Sequence, residues 1–248
     1  MKDVFINHVR ITNASRQEIT DYIERNIAVS QIVGAGINSD TFIHAYRDKN
    51  YSDFLKKADF INIDGMSVVL AMRLLGYNVT ERVSCPDIYY NVLDLACKKQ
   101  LNVFFVGSTE DVIQKLVSRY QTLYPNLLVV GYRNGYFEKS EEEVLINHIN
   151  SSGADIVFLG LPSPKKEWFI RDNRNLIKAN FLYGVGGMFD VEAQIIKRAP
   201  LWVQNSGFEW FFRLMQEPKR LWKRYLINNT LFIKIVLAHY LSKQRKDL

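Results

Sequence analysis

Six short apolar runs, each separated from the next by a segment of helical periodicity, constrain the fold of this chain more than any other feature. They read IVGAGIN, DFINID, NVFFVG, LLVVGY, ADIVFLGLP and NFLYGVGG. Segments between them carry apolar residues three and four positions apart, at 40–58, 66–75, 86–99, 109–123 and 140–150. Strands that alternate with helices predict an α/β fold, with a mostly parallel sheet flanked by helices.

A change in composition near residue 197 divides the chain. The first 196 residues carry the six runs and a net charge of −2, whereas residues 197–248 carry +8 and three of the four tryptophans. We therefore predict an α/β domain over 1–196 and a basic helical C-terminal appendage over 197–248. A basic, aromatic-rich appendage suits lipid headgroups, a phosphorylated ligand or nucleic acid, and a merely solvated helix is the simpler alternative.

The last part of the chain, LINNTLFIKIVLAHYLSKQRKDL, mixes apolar residues with Lys234, Lys243 and Arg245. This pattern is typical of a helix that lies in a membrane interface, and a helix that packs on the core or in a dimer is the competing interpretation. No apolar stretch reaches the roughly 20 residues that cross a bilayer, and the polar residues near the N-terminus lead us to expect no export signal. We expect a cytoplasmic protein, peripheral on the inner face of a bacterial plasma membrane.

Several signatures of cofactors and metals do not occur. Cys85 and Cys97 have neither a redox nor a metal-ligand spacing. GVGGMFD, at 184–190, lacks the spacing of a dinucleotide loop and ends the last apolar run rather than the first, which argues against a nicotinamide-dependent oxidoreductase. The chain has no DxD pair for a metal-bound diphosphate. We expect neither a metal nor a cofactor.

Polar residues that end the runs are candidate ligands, because small molecules bind beyond the carboxyl ends of parallel strands. Asp64 ends one run and precedes Gly65, so it is the strongest candidate for a general base. An N-cap for the helix that begins near Met66 explains Asp64 equally well. Asn38 ends the preceding run and is expected beside Asp64, either as a ligand to a sugar or nucleobase or as a turn residue.

Further candidates lie in the loops. Arg82 and Asp87 flank the start of a helix, where they either position a ligand or form an ion pair and a cap. In PSPKKE, Lys166 lies at the start of another helix, where a bound anion or a solvated turn would account for it. Backbone amides would approach a phosphate or a base most readily at three glycines, Gly107, Gly186 and Gly187.

The segment EWFFRLMQEPKRLWKRYL, at 209–226, places basic residues among aromatic ones. Arg213, Arg220 and Arg224 are seven and four positions apart, which puts them near one face of a continuous helix, although Pro218 is expected to interrupt it. Guanidinium groups, with Lys223 beside them, would stabilise the charge on a departing diphosphate without a metal.

Nine motifs together are similar to a known family. They are IDG at 63–65, ERV at 81–83 with Asp87 downstream, FFVG at 104–107, YP at 124–125, VVGYRNGYF, PKKE at 164–167, GVGGMFD, RAP at 198–200 and FEWFFRLMQEPKR. In this order and spacing they resemble the WecG/TagA/CpsF family of glycosyltransferases, over about residues 32–225.

The resemblance implies a Rossmann-like, metal-independent, inverting transferase of the GT-E type. Such an enzyme moves N-acetylmannosamine, its uronic acid or a hexose from a UDP-sugar to a saccharide on polyprenyl diphosphate, in cell-surface polysaccharide synthesis. By the same resemblance Asp64 is the catalytic base, Asn38 and Arg82 line the site, and Arg213, Arg220 and Arg224 close over the donor. The appendage is expected to bind an anionic membrane surface and to compete with assembly of a homo-oligomer.

Three positions depart from the family pattern. Gly36 stands where the resemblance implies threonine, Lys166 where it implies glutamine, and Gln194 near a usual glycine. A lysine at 166 would suit an acidic sugar. Outside this family, the remaining alternative is a nucleic-acid-binding α/β module that uses the basic aromatic tail, although nucleic acid is not the partner we expect.

Overall fold

A computed structural model confirms the α/β fold. It describes residues 1–79, 81–205 and 207–245, apart from the side chains of residues 201, 205, 220 and 224. Strands β1 (Lys2–Ile6) and β2 (Val9–Asn13) form an antiparallel hairpin. The six predicted runs form β3 (Ile32–Ile37), β4 (Phe60–Ile63), β5 (Asn102–Gly107), β6 (Leu128–Arg133), β7 (Ile156–Gly160) and β8 (Phe181–Gly184).

Strands β3 to β8 make one sheet in the described part of the chain. Their order is β4-β3-β8-β7-β5-β6, and every neighbouring pair is parallel. The carboxyl ends of all six therefore lie at the same edge. Because helices cover both faces, nearly every residue of β3, β4, β7 and β8 is buried, which is why these strands read as continuous apolar runs.

Helices cover the two faces of the sheet. In chain order they are α1 (Arg16–Asn26), α2 (Ser39–Arg47), α3 (Lys49–Lys57), α4 (Met66–Leu74), α5 (Cys85–Lys99), α6 (Glu110–Leu123), α7 (Glu142–Ser151) and α8 (Lys165–Asn173). Helices α1, α5 and α6 pack on one face with strand residues such as Phe105, whereas α2, α3, α4, α7 and α8 pack on the other with Phe104. Alternate strand residues thus belong to two separate cores.

Two features differ from the sequence prediction. The segment 40–58 forms α2 and α3 instead of one helix, because Asp48 adopts an extended conformation and its carboxylate accepts a hydrogen bond from Asn50 N at 2.8 Å. The N-terminal hairpin was not predicted. Its signal in the sequence is the alternation of Val4 and Ile6 with polar or exposed residues, followed by Asn7. The structure buries Val4 and Ile6 and gives Asn7 a φ of 53°, a conformation that asparagine tolerates in turns.

The C-terminal part of the chain is mostly helical where the structure describes it. It contains α9 (Met188–Glu192), α10 (Leu201–Asn205), α11 (Glu209–Gln216) and α12 (Pro218–Gln244). Pro218 is the first residue of α12, where its missing N–H costs nothing, so it separates α11 from α12 as predicted. Among the described helices, none is long and apolar enough to span a bilayer.

Helix α12 packs along α2 and closes part of the core. Phe232 is 3% exposed and meets Phe42 edge-to-face, with ring centroids 5.0 Å apart. Ile235 and Val236 are buried beside it. One face of α12 is therefore a core-packing face, as the competing interpretation of this segment held, and its opposite face is available for other contacts.

The packing of α12 leads to a first prediction. Phe232→Ala should lower the free energy of unfolding by ~3 kcal/mol, because it removes a buried ring and leaves a cavity against Phe42. Ile233→Ala is the matched control, since this side chain is 56% exposed on the same helix and should cost below ~1 kcal/mol. Urea denaturation followed by circular dichroism measures both. Equal losses for the two variants would mean that α12 does not dock through Phe232.

Candidate active site

Asp64 lies at the edge formed by the carboxyl ends of the strands, immediately after β4. Helix α4 is capped by Gly65 without a side-chain hydrogen bond, so the N-cap explanation of Asp64 is wrong. Its carboxylate instead accepts two other hydrogen bonds. Cys85 N, at the start of α5, donates to Oδ1 at 2.8 Å, and Asn38 Nδ2 donates to Oδ2 at 3.3 Å. The side chain is only partly buried, and two donors fix its orientation.

Asn38 lies beside Asp64, as its place after β3 predicted. It is also the N-cap of α2, because its Oδ1 accepts hydrogen bonds from Asp40 N at 3.0 Å and Thr41 N at 3.1 Å. Gly65 permits this closeness, since a Cβ there would lie 2.8 Å from the Cβ of Asn38. Asn38 therefore combines a helix cap with a hydrogen bond to the carboxylate.

Arg82 lies near Asp64 and binds the C-terminal segment. Its Nη2 forms an ion pair with Glu209 Oε2 at 2.6 Å, and its Nη1 donates to Gln204 O at 3.3 Å. Burial opposes the charge of Arg82, but the carboxylates of Asp64 and Glu209 outweigh that effect and raise the pKa of Arg82 above its usual value. Arg82 thus connects the edge of the sheet to α11.

Asp87 has a different role from Arg82. Its Oδ2 accepts hydrogen bonds from Ser84 N at 2.8 Å and Ser84 Oγ at 2.6 Å, which completes a capping box at the start of α5. The cap that we considered for Asp87 is therefore present, and the ion pair of Arg82 is made with Glu209. Asp87 holds the helix whose first N–H binds Asp64.

The three predicted glycines lie at the end of β5 and in the loop that follows β8, and two of them, Gly107 and Gly187, mark close approaches. A Cβ on Gly107 would lie 2.5 Å from the backbone of Gly160, so the ends of β5 and β7 come together only because the residue is glycine. Gly186 has a φ of 57°, and the space where its Cβ would lie is open. A Cβ on Gly187 would overlap the guanidinium of Arg213.

Arg213 is the predicted tail arginine that reaches this edge in the described residues. Its guanidinium packs against Gly187, at the turn before α9. Its Nε also lies 3.7 Å from Glu217 Oε2. The side chains of Arg220 and Arg224 lie outside the described part of the structure, so their predicted contacts stay predictions. Arg82 joins α11 to the edge near Asp64, and Arg213 joins it to the turn that follows β8.

Lys166 is buried and has protein partners. Its ammonium contacts the carboxylate of Glu167 and the hydroxyl of Ser163, and its alkyl stem lies against Gly184. The neighbouring Lys165 donates to Gly135 O at 3.0 Å and Phe137 O at 3.2 Å. The interpretation of this segment as a solvated turn is therefore wrong. Protein groups bind both ammonium groups at the place where the sequence also suggested a bound anion.

The resemblance that the motifs indicate extends over nearly the whole chain. A family model described as "Glycosyl transferase WecG/TagA/CpsF family" matches residues 4–246. The chain belongs to this family of glycosyltransferases.

Two curated relatives in the WecG/TagA/CpsF family have the same name, N-acetylglucosaminyldiphosphoundecaprenol N-acetyl-beta-D-mannosaminyltransferase. The protein of Bacillus subtilis (strain 168) is 34% identical over 229 residues, which cover 91% of this chain and 88% of the relative. The protein of Bacillus spizizenii (strain ATCC 23059 / NRRL B-14472 / W23) is 31% identical over 220 residues, which cover 89% and 83%. This chain is thus similar to enzymes named for transferring N-acetylmannosamine.

The departures from the WecG/TagA/CpsF pattern have structural counterparts. A Cβ on Gly36 would overlap Cys85 Sγ, so the glycine makes room for the thiol beside Asp64. Gln194 has a φ of 59°, in the left-handed region that favours glycine. Burial, together with the charge of Asp64, raises the pKa of Cys85, so its thiol stays protonated at neutral pH. Cys85 therefore fills the space beside Asp64 as a neutral side chain.

Some contacts of this site were not predicted from the sequence. They involve the N–H of Cys85, the carboxylate of Glu209 and the carboxylate of Glu167. Ser84 and Asp87 have the spacing of a capping box, which signals where α5 begins, but no local pattern signals the partners of Glu209 or Glu167. Within residues 1–79, 81–205 and 207–245, no three His, Cys, Asp or Glu side chains are grouped to hold a metal ion.

The fit between Gly36 and Cys85 leads to a second prediction. Gly36→Ala should lower the melting temperature and the activity, because the added methyl overlaps Cys85 Sγ and costs ~1–3 kcal/mol. Gly36→Ala combined with Cys85→Ala should recover most of the loss, since the second change removes the overlapping sulfur. Differential scanning fluorimetry and a turnover assay measure both variants. Losses that simply add in the double variant would show that the two positions do not share this space.

Proposed function

We propose that this chain transfers N-acetylmannosamine from a UDP-sugar to a polyprenyl-diphosphate-linked N-acetylglucosamine, by a metal-independent, inverting mechanism, during cell-wall polysaccharide synthesis. The observation that carries the proposal is the partly buried Asp64 carboxylate, held by two donors at the carboxyl ends of the strands. The names of the two Bacillus relatives support the choice of sugar and acceptor. Its place of action would be the cytoplasmic face of the membrane, where such a lipid-linked acceptor is met.

Asp64 would act as the general base. As the acceptor hydroxyl attacks the anomeric carbon, its proton passes to the Asp64 carboxylate, and the bond from that carbon to the diphosphate breaks with its electron pair leaving on UDP. A single displacement of this kind inverts the anomeric configuration. The hydrogen bonds from Cys85 N and Asn38 Nδ2 hold the carboxylate in one orientation, which lowers the entropy cost of reaching the transition state.

Guanidinium groups would stabilise the departing diphosphate. Arg213 packs on Gly187, beside the open space at Gly186, so a phosphate at this loop would meet both a guanidinium and exposed backbone. A fixed guanidinium can bind phosphate oxygens in a bidentate manner and offset the charge that develops on them. This arrangement supports a role for Arg213 in catalysis, and we extend the role to Arg220 and Arg224 by their sequence positions.

The surroundings of Lys166 support a neutral donor sugar. Lys166 and Glu167 form a pair in which both side chains are largely buried, so the lysine charge is already compensated. A uronic acid placed against this pair would bring a second carboxylate close to Glu167, which already matches the charge of Lys166. The pairing therefore favours N-acetylmannosamine over its uronic acid, in contrast to what the lysine alone suggested.

The exposed face of α12 supports docking on a membrane surface. Large apolar side chains recur along it at four- and seven-residue intervals, and they are Trp222, Leu226, Ile233, Leu237 and Leu241. Lys219, Lys223 and Lys234 are also exposed on this helix. An apolar stripe with lysines is the pattern of a helix that lies in the interface of an anionic bilayer. Membrane docking would bring the site to a lipid-linked acceptor.

The reaction is tested with purified protein, UDP-N-acetylmannosamine and a short-chain polyprenyl-diphosphate-linked N-acetylglucosamine, with EDTA present. We expect a product one N-acetylhexosamine heavier by mass spectrometry. Asp64→Asn should cut turnover at least ~100-fold, the usual contribution of a general base, while UDP still raises the melting temperature. Asp53→Asn, at an exposed site paired with Lys56, is the control and should retain full turnover. Retained turnover in Asp64→Asn would exclude it as the base.

The docking face is tested with vesicles of equimolar phosphatidylcholine and phosphatidylglycerol. Ile233→Ser combined with Leu237→Ser should reduce co-sedimentation at least ~10-fold, since each side chain contributes ~1.5–3 kcal/mol when buried. Val144→Ser with Leu176→Ser is the matched control, because these apolar side chains are at least as exposed elsewhere and should leave binding unchanged. Binding retained by the α12 variant, or lost equally by both, would contradict the assignment.

A further inference from the structure

We infer that α12 positions the catalytic carboxylate through the first turn of α2, with Asn228 and Asn229 as the positioning residues. The inference rests on the proposed role of Asp64 as the base. It adds a second task to α12, which acts on the base side of the reaction as well as on the membrane.

The first step is the contact between the two helices. Ser39 Oγ donates a hydrogen bond to Asn229 Oδ1 at 2.6 Å, and Asn228 Nδ2 donates to Asp40 Oδ1 at 2.5 Å. All four side chains are partly buried, so water replaces these bonds less easily than on an open surface. Two consecutive residues of α12 therefore bind the first two residues of α2.

The second step is the cap of the same turn. Asn38 Oδ1 accepts hydrogen bonds from Asp40 N and Thr41 N, and Asn38 N donates to Thr41 Oγ1 at 2.8 Å. Its carboxamide is thus fixed by the very residues that α12 binds or that follow them directly. A shift of this turn would move the carboxamide with it.

The third step links the cap to the base. The Nδ2 of Asn38 donates to Asp64 Oδ2 at 3.3 Å, a distance at the long end for a hydrogen bond. A long bond is sensitive to small displacements, so a slight shift of the α2 turn would weaken it. The opposite oxygen is held by Cys85 N, which belongs to α5 and does not depend on α12. Loss of the tail contact should therefore loosen the carboxylate without releasing it.

The test compares variants in the transferase assay of the full chain. Asn229→Leu and Ser39→Ala each remove the same hydrogen bond from opposite sides. Each should lower kcat ~3–10-fold, the equivalent of about one net hydrogen bond, while KM for UDP-N-acetylmannosamine and the affinity for UDP change less than ~2-fold. The double variant should be no slower than either single one. Should Asn229→Leu fail to fold, Ser39→Ala tests the same bond.

Two comparisons separate positioning from general docking. His239→Ala removes another contact of α12 with the body, to Asn7 Oδ1 at 2.9 Å, and should leave kcat within ~2-fold. Asn38→Ser keeps an N-cap hydroxyl but loses the amide that donates to Asp64, so Asn229→Leu should have no further effect in that background. Equal loss of kcat in His239→Ala, or effects that multiply in the Asn38→Ser background, would overturn the inference.

A failure of this inference can be told apart from a failure of the proposed function. If Asp64→Asn retains turnover, the base itself is misassigned. If Asp64→Asn abolishes turnover while Asn229→Leu and Ser39→Ala leave kcat unchanged, the base stands and the link from α12 is wrong. A rise in KM for the donor at unchanged kcat in those two variants would also overturn the link, because it would indicate a binding role.

Discussion

The parallel pairing of β3 with β4 is the constraint on which the rest of the site depends. Ile37 and Ile63 are partners in this register, so Asn38 and Asp64 leave the sheet at the same level. The backbone continues the pairing for one further step, as Asp64 N donates to Ile37 O at 2.9 Å. A shift of one residue would turn Asp64 toward the opposite face. The positions of Asp64 and Asn38 are thus set by sheet geometry rather than by the loops that follow.

Around that edge, charge is distributed between two parts of the chain. The first 196 residues have a net charge of −2 and contain Asp64, whereas the last 52 have +8 and contain Arg213. In one contact between the two parts the signs are the other way round, because Glu209 of the basic part binds Arg82 of the acidic part. This ion pair holds α11 close to Asp64, while the guanidinium of Arg213 reaches Gly187. The arrangement places a carboxylate and a guanidinium at separate points of one edge, and our proposed transfer with a charged leaving group would use both.

The two sides of α12 explain why its sequence supported two interpretations. Phe232, Ile235 and Val236 face the core, and Ile233 and Leu237 face outward, so apolar residues occur around most of the helix. Periodicity alone cannot assign such a helix to a core or to a membrane surface, because both need apolar area. The packing against α2 assigns one face, and the exposed face is left for our proposal of membrane docking. Neither interpretation excludes the other.

The sequence by itself determined the α/β class, the six strands of the parallel sheet, the family, and the place of Asp64 and Asn38 at strand ends. These follow from local patterns, namely apolar runs, helical periodicity and the residues that end each run. Only the tertiary structure decided that Cys85 N binds Asp64, that Glu209 binds Arg82, that Glu167 compensates Lys166 and that α12 docks on α2. Most of these contacts join residues far apart in the chain, and no local pattern encodes the distance between them. In Lys166 and Glu167, which are adjacent, it is burial that makes the pairing matter, and burial is a property of the whole fold.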